Sequence, residues 1–239
     1  MHRAIVYHTI SAPRIPLPAD IDISAERFEN HLRWLSKHRN RVVALRRTLS
    51  EPADTKLIAI TFDDGYRDNL TVALPLLEKY DLPATLFMAA GFVGQERYLT
   101  SEDLKLMADH PLIEIGSHSL SHPHLTRMPI EEARFELLES KRILEEITEQ
   151  TIDLLAYPYG DCDTAIERLS ERCGYQAAWS VWNGSNTPFS RWRVPLGRND
   201  GMLRFIAKVS GAYFPVKRRL RPPIVAGNRN ETAEVLFSD

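Results

Sequence analysis

Two adjacent carboxylates, Asp63 and Asp64, end an apolar run in the segment LIAITFDDG, residues 57–65. Neighbouring carboxylates repel each other, and burying either one is costly unless a cation or hydrogen bonds compensate for the lost hydration. An Asp-Gly pair is also an ordinary turn dipeptide, so this segment alone is equally typical of a strand followed by a turn. A functional interpretation therefore depends on chemistry-bearing residues elsewhere in the chain.

A pair of histidines supplies the second part of the pattern. The segment GSHSLSHPH, residues 116–124, places His118 and His122 four residues apart. If the segment turns helically, this spacing puts both imidazoles on one side, as metal-binding histidine pairs require. One carboxylate with two imidazoles leaves coordination positions open, which is typical of a catalytic divalent metal site. Because Pro123 turns the chain, we expect His124 to be a solvated loop residue.

The elements that must position these residues alternate between apolar strands and amphipathic helices. This alternation indicates βαβ units and a parallel sheet. About seven units predict an α/β fold, a distorted (β/α) barrel of about seven parallel strands, with an open doubly wound sheet as the alternative. The segments with strand character are 3–8, 41–45, 57–62, 84–89, 112–118, 153–160 and 175–182, followed by the run RWRVPL. Helical patterns begin at Ser24 and Ser101 and cover 129–149, 164–173 and 202–212.

In such a barrel, functional side chains lie at the carboxyl ends of the strands. Polar and ionisable residues recur at these predicted ends along the chain. In order they are His8, Asp63, Asp64, His118, His122 and Tyr159. The sequence therefore predicts that independent strands bring these residues to one rim.

Composition limits the classes of function. The chain has 239 residues, 44% of them hydrophobic, which is enough for one sizeable core, and we expect a single domain over 1–221 with a tail at 222–239. A net charge of −2 gives no indication of a nucleic-acid partner. The two cysteines are too few for a disulfide framework.

The expected location follows from two further patterns. The first residues show no signal-peptide pattern, and no stretch approaches the ~18 apolar residues of a membrane span, so we expect a soluble, cytoplasmic protein. The segment 202–221 combines apolar residues with the basic cluster VKRRLR at its end. It is consistent with a peripheral contact to an anionic membrane, or with a helix that packs across the barrel end.

Three segments, TFDDG, HSLSHPH and YPYG, resemble in this order the motifs of the polysaccharide deacetylase family, the NodB homology domain. The resemblance covers roughly residues 57–200. It implies a metal-dependent hydrolase that removes N-acetyl groups, or O-acetyl groups, from an amino-sugar polysaccharide or a lipid-linked oligosaccharide. The implied partner is an acetylated amino-sugar glycan, and the implied cofactor is a divalent metal, usually zinc.

The resemblance also implies a role for each matching residue. Asp63 would be the general base that takes a proton from the attacking water. Asp64 would bind the metal together with His118 and His122. Tyr159 would donate its backbone N–H to the developing oxyanion, as preorganised donors do in acyl transfer.

The chain departs from the family pattern at two places. The arginine that usually pairs with the base is replaced by Ala156, and Arg193 or Arg198 from a later strand would have to substitute for it. No histidine follows residue 124, although the family usually supplies its acid from a late Leu-x-His motif. The segment IVYH resembles the same motif at the other end of the chain, as in the poly-N-acetylglucosamine deacetylase subset, and implies that His8 is the general acid.

Other interpretations remain open at this stage. Ala156 and the missing late histidine are consistent with a catalytically impaired relative that binds glycan without cleaving it. A non-haem iron oxygenase also uses two histidines and one carboxylate, but usually as His-x-Asp on an antiparallel scaffold. Tyr159 and Trp182 are candidate sugar contacts, and Trp182 is equally consistent with a barrel-cap residue.

Overall fold

A computed structural model describes residues 2–10, 21–181 and 187–212. Within these ranges seven parallel strands close into a barrel in sequence order, and the last strand pairs with the first. The strands are β1 Arg3–Tyr7, β2 Ile58–Asp64, β3 Ala84–Met88, β4 Ile113–Ser117, β5 Leu154–Ala156, β6 Ala177–Val181 and β7 Arg191–Pro195. The predicted (β/α) barrel of about seven parallel strands is confirmed, and the open sheet is excluded.

Helices surround the barrel in the described ranges. They are α1 Ala25–Ser36, α2 Arg47–Ser50, α3 Leu74–Tyr80, α4 Ser101–Ala108, α5 Ile130–Thr148, α6 Thr164–Arg172 and α7 Met202–Ser210, with a π-helical turn at Asn69–Ala73 before α3. The predicted cap of the first helix is confirmed, because the Ser24 side chain accepts the Arg27 N–H. Thr100 and Asp103 form a reciprocal capping box at the start of α4.

The expected strand at 41–45 is wrong. Only Val42 forms a bridge, to Ile58, and the segment otherwise links a 3-10 turn to α2. Its apolar residues are buried for a different reason. Leu45 packs into the barrel interior beside Thr85, whose hydroxyl accepts the Leu45 N–H near the start of β3. The run therefore closes the amino-terminal end of the barrel.

Small residues in the barrel interior make room for two aromatic rings. Phe87 and Trp179 lie with their ring centroids 6.0 Å apart, and both are buried. A Cβ atom at Gly116 would lie 2.5 Å from the Phe87 ring, so only glycine fits there. The small interior residues include Ala4, Ala59, Ala156 and Ala177. Because the interior is filled, any substrate must bind at a rim rather than in a central channel.

The last described helix packs on the body of the protein. Phe205 and Val209 of α7 are buried, and the Phe205 ring stacks on His31 of α1 at 4.0 Å, whereas Leu203 is 88% exposed. This packing accounts for two of the apolar residues in the segment considered for membrane contact. Residues 213–221, Trp182 and the tail at 222–239 lie outside the described residues. No helix in the described ranges combines the length and apolar character that a membrane span requires.

Candidate metal centre and active site

The two aspartates belong to the strand rather than to a turn after it. β2 continues through Asp64, where Asp63 and Asp64 pair in register with Phe87 and Met88 of β3. Successive side chains of a strand point to opposite faces. Asp64 departs from this alternation because its backbone lies in the left-handed region, with φ of 72°. Gly65 follows with φ of 85°, and a Cβ there would lie 1.9 Å from the Met88 sulfur.

The histidine segment is a loop rather than the helical turn that the spacing suggested. Ser119 and His122 both have positive φ, and the Ser119 hydroxyl accepts the His122 N–H at 3.2 Å. Glu136 of α5 holds the middle of the loop by accepting the N–H groups of Leu120 and Ser121 at 2.9 and 2.8 Å. The loop geometry, not helical periodicity, therefore brings the two imidazoles together.

Asp64, His118 and His122 form a cluster whose ligand atoms all lie within 4.8 Å of one another. The Nε2 atoms of His118 and His122 lie 3.5 and 3.4 Å from Asp64 Oδ1. The Nδ1–H of His118 donates to the Ala156 carbonyl at 2.7 Å, which leaves its Nε2 lone pair for the cluster. Asp64 Oδ1 is buried with no hydrogen-bond partner among the described residues. A carboxylate and two imidazoles with an orphaned oxygen fit a divalent cation.

The electrostatics of the cluster also fit a cation. Burial, and then the negative charge of Asp63, raise the pKa of Asp64 to about 8. Burial lowers the pKa of His118 to about 3 and also lowers the pKa of His122. Both histidines are therefore neutral at pH 7, as metal ligands must be. A divalent cation would supply the positive charge that stabilises ionised Asp64.

Arg193 of β7 occupies the role that the sequence left to one of two arginines. It donates to both oxygens of Asp63, at 2.5 and 2.7 Å, and both side chains are buried. Burial raises the pKa of Asp63, but Arg193 and then His118 outweigh it and lower the pKa to about 2. Arg198 instead pairs with Asp22 at 2.8 Å. Asp63 is therefore ionised and held in a bidentate pair despite the alanine at position 156.

His8 lies directly after β1, next to the strand that carries Arg193. Its Nδ1 atom is buried with no hydrogen-bond partner in the described part of the chain. Asn69 donates to the His8 carbonyl at 2.7 Å, and the Thr9 hydroxyl donates to Asp68. Burial is the largest cause that lowers the pKa of His8 to about 4, against the opposing charge of Asp63. His8 is therefore neutral at pH 7 and can accept a proton.

Tyr159 lies beside the cluster on the turn after β5. Its φ is 59°, and its N–H has no acceptor among the described residues. Tyr159 is 57% exposed, and its ring meets His122 edge to face at 4.6 Å. The exposed Tyr159 ring therefore lies at the edge of the metal-ligand cluster, in contact with one of its imidazoles.

The sequence did not predict the surroundings of Tyr159. His124, expected to be a solvated loop residue, stacks on the Tyr159 ring at 3.8 Å and donates to Asp161 at 2.5 Å. Glu136 was likewise unpredicted, because a glutamate on a charged helix carries no sequence signal of a loop contact. The only available signal for His124 was its place two residues after a candidate ligand.

The closed parallel barrel brings a carboxylate-histidine cluster to the carboxyl ends of its strands, where barrels of this kind carry their functional residues. The family model described as polysaccharide deacetylase matches residues 50–178, more than half of the chain. The chain belongs to the polysaccharide deacetylase family.

Several bacterial proteins are similar to this chain in sequence. YxkH of Bacillus subtilis, named as a polysaccharide deacetylase, is 31% identical over 177 residues, which cover 72% of this chain and 61% of the relative. A peptidoglycan-N-acetylglucosamine deacetylase of Bacillus cereus is 31% identical over 57% of this chain and 62% of its own length. A poly-β-1,6-N-acetyl-D-glucosamine N-deacetylase of Staphylococcus aureus is 26% identical over 70% and 64%. The chain thus spans less than two thirds of these relatives.

Solved structures share the fold. BA0330 of Bacillus anthracis, named as a polysaccharide deacetylase, superposes with a TM-score of 0.78 at 25% identity, over 87% of this chain and 68% of that one. The deacetylase PplD of Streptococcus pyogenes, in complex with acetate, gives a TM-score of 0.77 at 23% identity, over 87% and 97%. The second likeness shows the fold alone.

Proposed function

We propose that this protein is a metal-dependent deacetylase that hydrolyses N-acetyl groups of an amino-sugar glycan, with zinc as the metal. The observation that carries the proposal is the cluster of Asp64, His118 and His122 beside the Asp63–Arg193 pair. A metal-ligand set next to an ionised, oriented carboxylate is the arrangement that water-activating hydrolases need. The names of the relatives from B. cereus and S. aureus favour an N-acetylglucosamine polymer as the substrate class.

Asp64, His118 and His122 would hold the metal. A zinc ion held there would supply Lewis-acid chemistry, lowering the pKa of the attacking water toward ~7 and polarising the acetamide carbonyl. The neutral histidines and the orphaned Asp64 oxygen support this assignment. Glu136 supports it indirectly, because it holds the loop that carries both imidazoles.

The other residues would handle the protons and the developing charge. Asp63, oriented by Arg193, accepts the proton of the attacking water, and the Tyr159 N–H donates to the oxygen on which negative charge develops. The C–N bond breaks as the nitrogen receives a proton. Because His8 is neutral at pH 7, it acts as the acid only after receiving a proton, and the proton removed from water is the available source. Transfer of that proton to the leaving nitrogen gives a free amine and acetate.

The test is acetate release from an N-acetylglucosamine oligomer, with the protein first stripped by a chelator and then titrated with zinc. We expect release only with metal, and loss of release in Asp63→Asn with zinc binding retained. An O-acetylated glycan run in parallel separates amide from ester hydrolysis. Zinc binding without release from either substrate would overturn the proposal and leave a glycan-binding protein.

A further inference from the structure

The backbone of Tyr159 is held in a conformation that a tyrosine rarely adopts. Its φ of 59° and ψ of 0° lie in the left-handed region, which is unfavourable for a residue with a bulky side chain. Residues in such conformations persist only where the surrounding structure holds them. The adjacent hydrogen bond, from the Gly160 N–H to the Tyr157 carbonyl at 2.9 Å, closes the turn but does not contact the Tyr159 side chain.

The Tyr159 side chain is held by His124. The two rings are nearly parallel, 14° apart, with centroids 3.8 Å from each other. His124 is itself anchored, because its carbonyl accepts the Arg127 N–H at 2.9 Å in a 3-10 turn whose Leu125 is buried. The stack therefore ties the β5 turn to the loop that carries His122.

Asp161 closes this arrangement into a ring. It follows Tyr159 by two residues and accepts the Nδ1–H of His124 at 2.5 Å. Its own N–H donates to the Pro158 carbonyl at 3.2 Å, so its backbone position is defined by the same turn. The contacts form a closed cycle: the backbone joins Tyr159 to Asp161, a hydrogen bond joins Asp161 to His124, and the stacked rings join His124 to Tyr159.

We propose that His124 and Asp161 are positioning residues of the active site, which act by holding Tyr159 in its left-handed conformation, with its ring against His122 and its N–H as the proposed oxyanion donor. This inference rests on the proposed deacetylase function. Both residues stay outside the reaction itself, since the oxyanion donor is the Tyr159 N–H. Their contribution is to keep that donor preorganised, which is what makes such donors effective.

The first test is steady-state kinetics of zinc-loaded His124→Ala on the N-acetylglucosamine oligomer. We expect kcat to fall by at least about tenfold, but by less than the roughly 10²–10³-fold loss that removal of an oxyanion donor causes. KM and the zinc dissociation constant should stay within about threefold. His124→Phe, which retains a ring for the stack, should recover part of the loss. Asp161→Asn, which retains an acceptor oxygen, should lose less than Asp161→Ala.

The chain offers a matched control far from the site. His110 donates to Glu78 at 3.0 Å near the start of β4, at the opposite end of the barrel. His110→Ala removes a histidine–carboxylate pair of similar geometry and should leave kcat unchanged. A loss in His124→Ala no larger than the loss in His110→Ala would overturn the proposal. So would an equal loss of zinc affinity, because the residue would then act through the metal ligand His122.

A double-mutant cycle tests whether His124 acts through the Tyr159 ring. In a Tyr159→Ala background the backbone N–H remains but the stacked ring is gone, so His124→Ala should change the residual kcat by less than about twofold. A full tenfold effect in that background would mean that His124 acts directly, and would overturn the proposal.

A spectroscopic measurement separates this inference from the proposed function. In protein labelled with 3-fluorotyrosine, the Tyr159 fluorine signal is assigned by its disappearance in Tyr159→Phe. Loss of the stacked imidazole should move that signal in His124→Ala, and Asp161→Ala should move it in the same direction, with His110→Ala as the control. If the wild type releases no acetate, the proposed function fails, and this signal alone tests whether His124 and Asp161 hold Tyr159. An unmoved signal in Asp161→Ala would overturn that inference.

Discussion

The pair of Asp63 and Arg193 predicts a large loss of stability on replacement of the arginine by methionine. Both side chains are buried, with relative exposures of 4% and 0%, and two bonds of 2.5 and 2.7 Å join them. A third bond at 3.1 Å ties Arg193 to Thr61 of β2. Methionine would fill much of the same volume but leave the Asp63 carboxylate buried and unpaired beside Asp64. Breaking a buried pair in this way costs about 3–5 kcal/mol of folding free energy.

The pH dependence follows from the direction of the pKa shift of Asp63. Its pKa of about 2 lies below the unfolded value of 3.8, so its contribution is present above pH 3.8 and is lost as the pH falls through 2. A shift of this size corresponds to roughly 2–3 kcal/mol. Without Arg193 the largest of the lowering charges is gone, while burial still raises the pKa of Asp63. The stabilising contribution of Asp63 should therefore disappear or change sign in Arg193→Met.

Urea unfolding of the zinc-free protein at pH 7 measures the loss of stability, and a series from pH 4 down to about pH 2 measures the pH dependence. Arg39→Met is the control, because its pair with Asp81 is exposed, with side-chain exposures of 43% and 73%, and its loss should cost less than about 1 kcal/mol. The double variant Asp63→Asn/Arg193→Met should recover at least ~2 kcal/mol relative to the sum of the single variants. An Arg193→Met stability within 1 kcal/mol of wild type, or additive single effects, would refute the reasoning.

Three further predictions concern activity and metal binding. Asp63→Asn should lower kcat for acetate release by about 10²–10⁴-fold. Its affinity for zinc, measured by direct titration, should stay within about tenfold of the wild-type value. Retained activity would show that Asp63 is not the base. Glu136→Gln should lower the affinity for zinc about 10–100-fold, because the loop that carries His118 and His122 loses hydrogen bonds to a charged acceptor. Competition with a chelator measures this affinity, and an unchanged value would contradict the prediction. Zinc at 100 times its dissociation constant should stabilise the wild type by about 2.7 kcal/mol in thermal unfolding. If zinc stabilised Asp64→Asn by the same amount, Asp64 would not be a ligand of the metal.

The fold was predictable because its signals are local and repeated. Each strand is a short apolar run followed by an amphipathic helix, and the parallel order follows from that alternation. The run at 41–45 shows the limit of this reasoning. A short apolar run is buried either as a strand or as an irregular segment that fills one end of the barrel, and periodicity alone does not distinguish the two. Leu45 fills the barrel end, so its burial is a tertiary effect that no local pattern encodes.

The site was predictable in its residue types but not in its backbone. The motifs placed Asp64, His118 and His122 together, yet the geometry depends on left-handed conformations at Asp64 and His122. Aspartate and histidine tolerate this region better than most residues, but tolerance does not predict occupancy. The contact of His124 with Tyr159 depends on two loops from different strands, and each loop alone carries no sign of the other.

The replacement of the motif arginine illustrates why function in a barrel constrains space more than sequence order. Ala156 and Arg193 lie on β5 and β7, which are separated by one strand, yet their positions converge on the same rim above a filled interior. In this chain the guanidinium that pairs with Asp63 comes from β7. Ala156 of β5 is small and buried in the interior cluster, and its carbonyl accepts the Nδ1–H of His118. The same closure brings β1 beside β7. His8 directly follows the first strand and Arg193 lies on the last, so the two are neighbours in the barrel although 184 residues lie between them in the sequence. Closure of the barrel therefore brings residues from opposite ends of the chain to the same rim around Asp63.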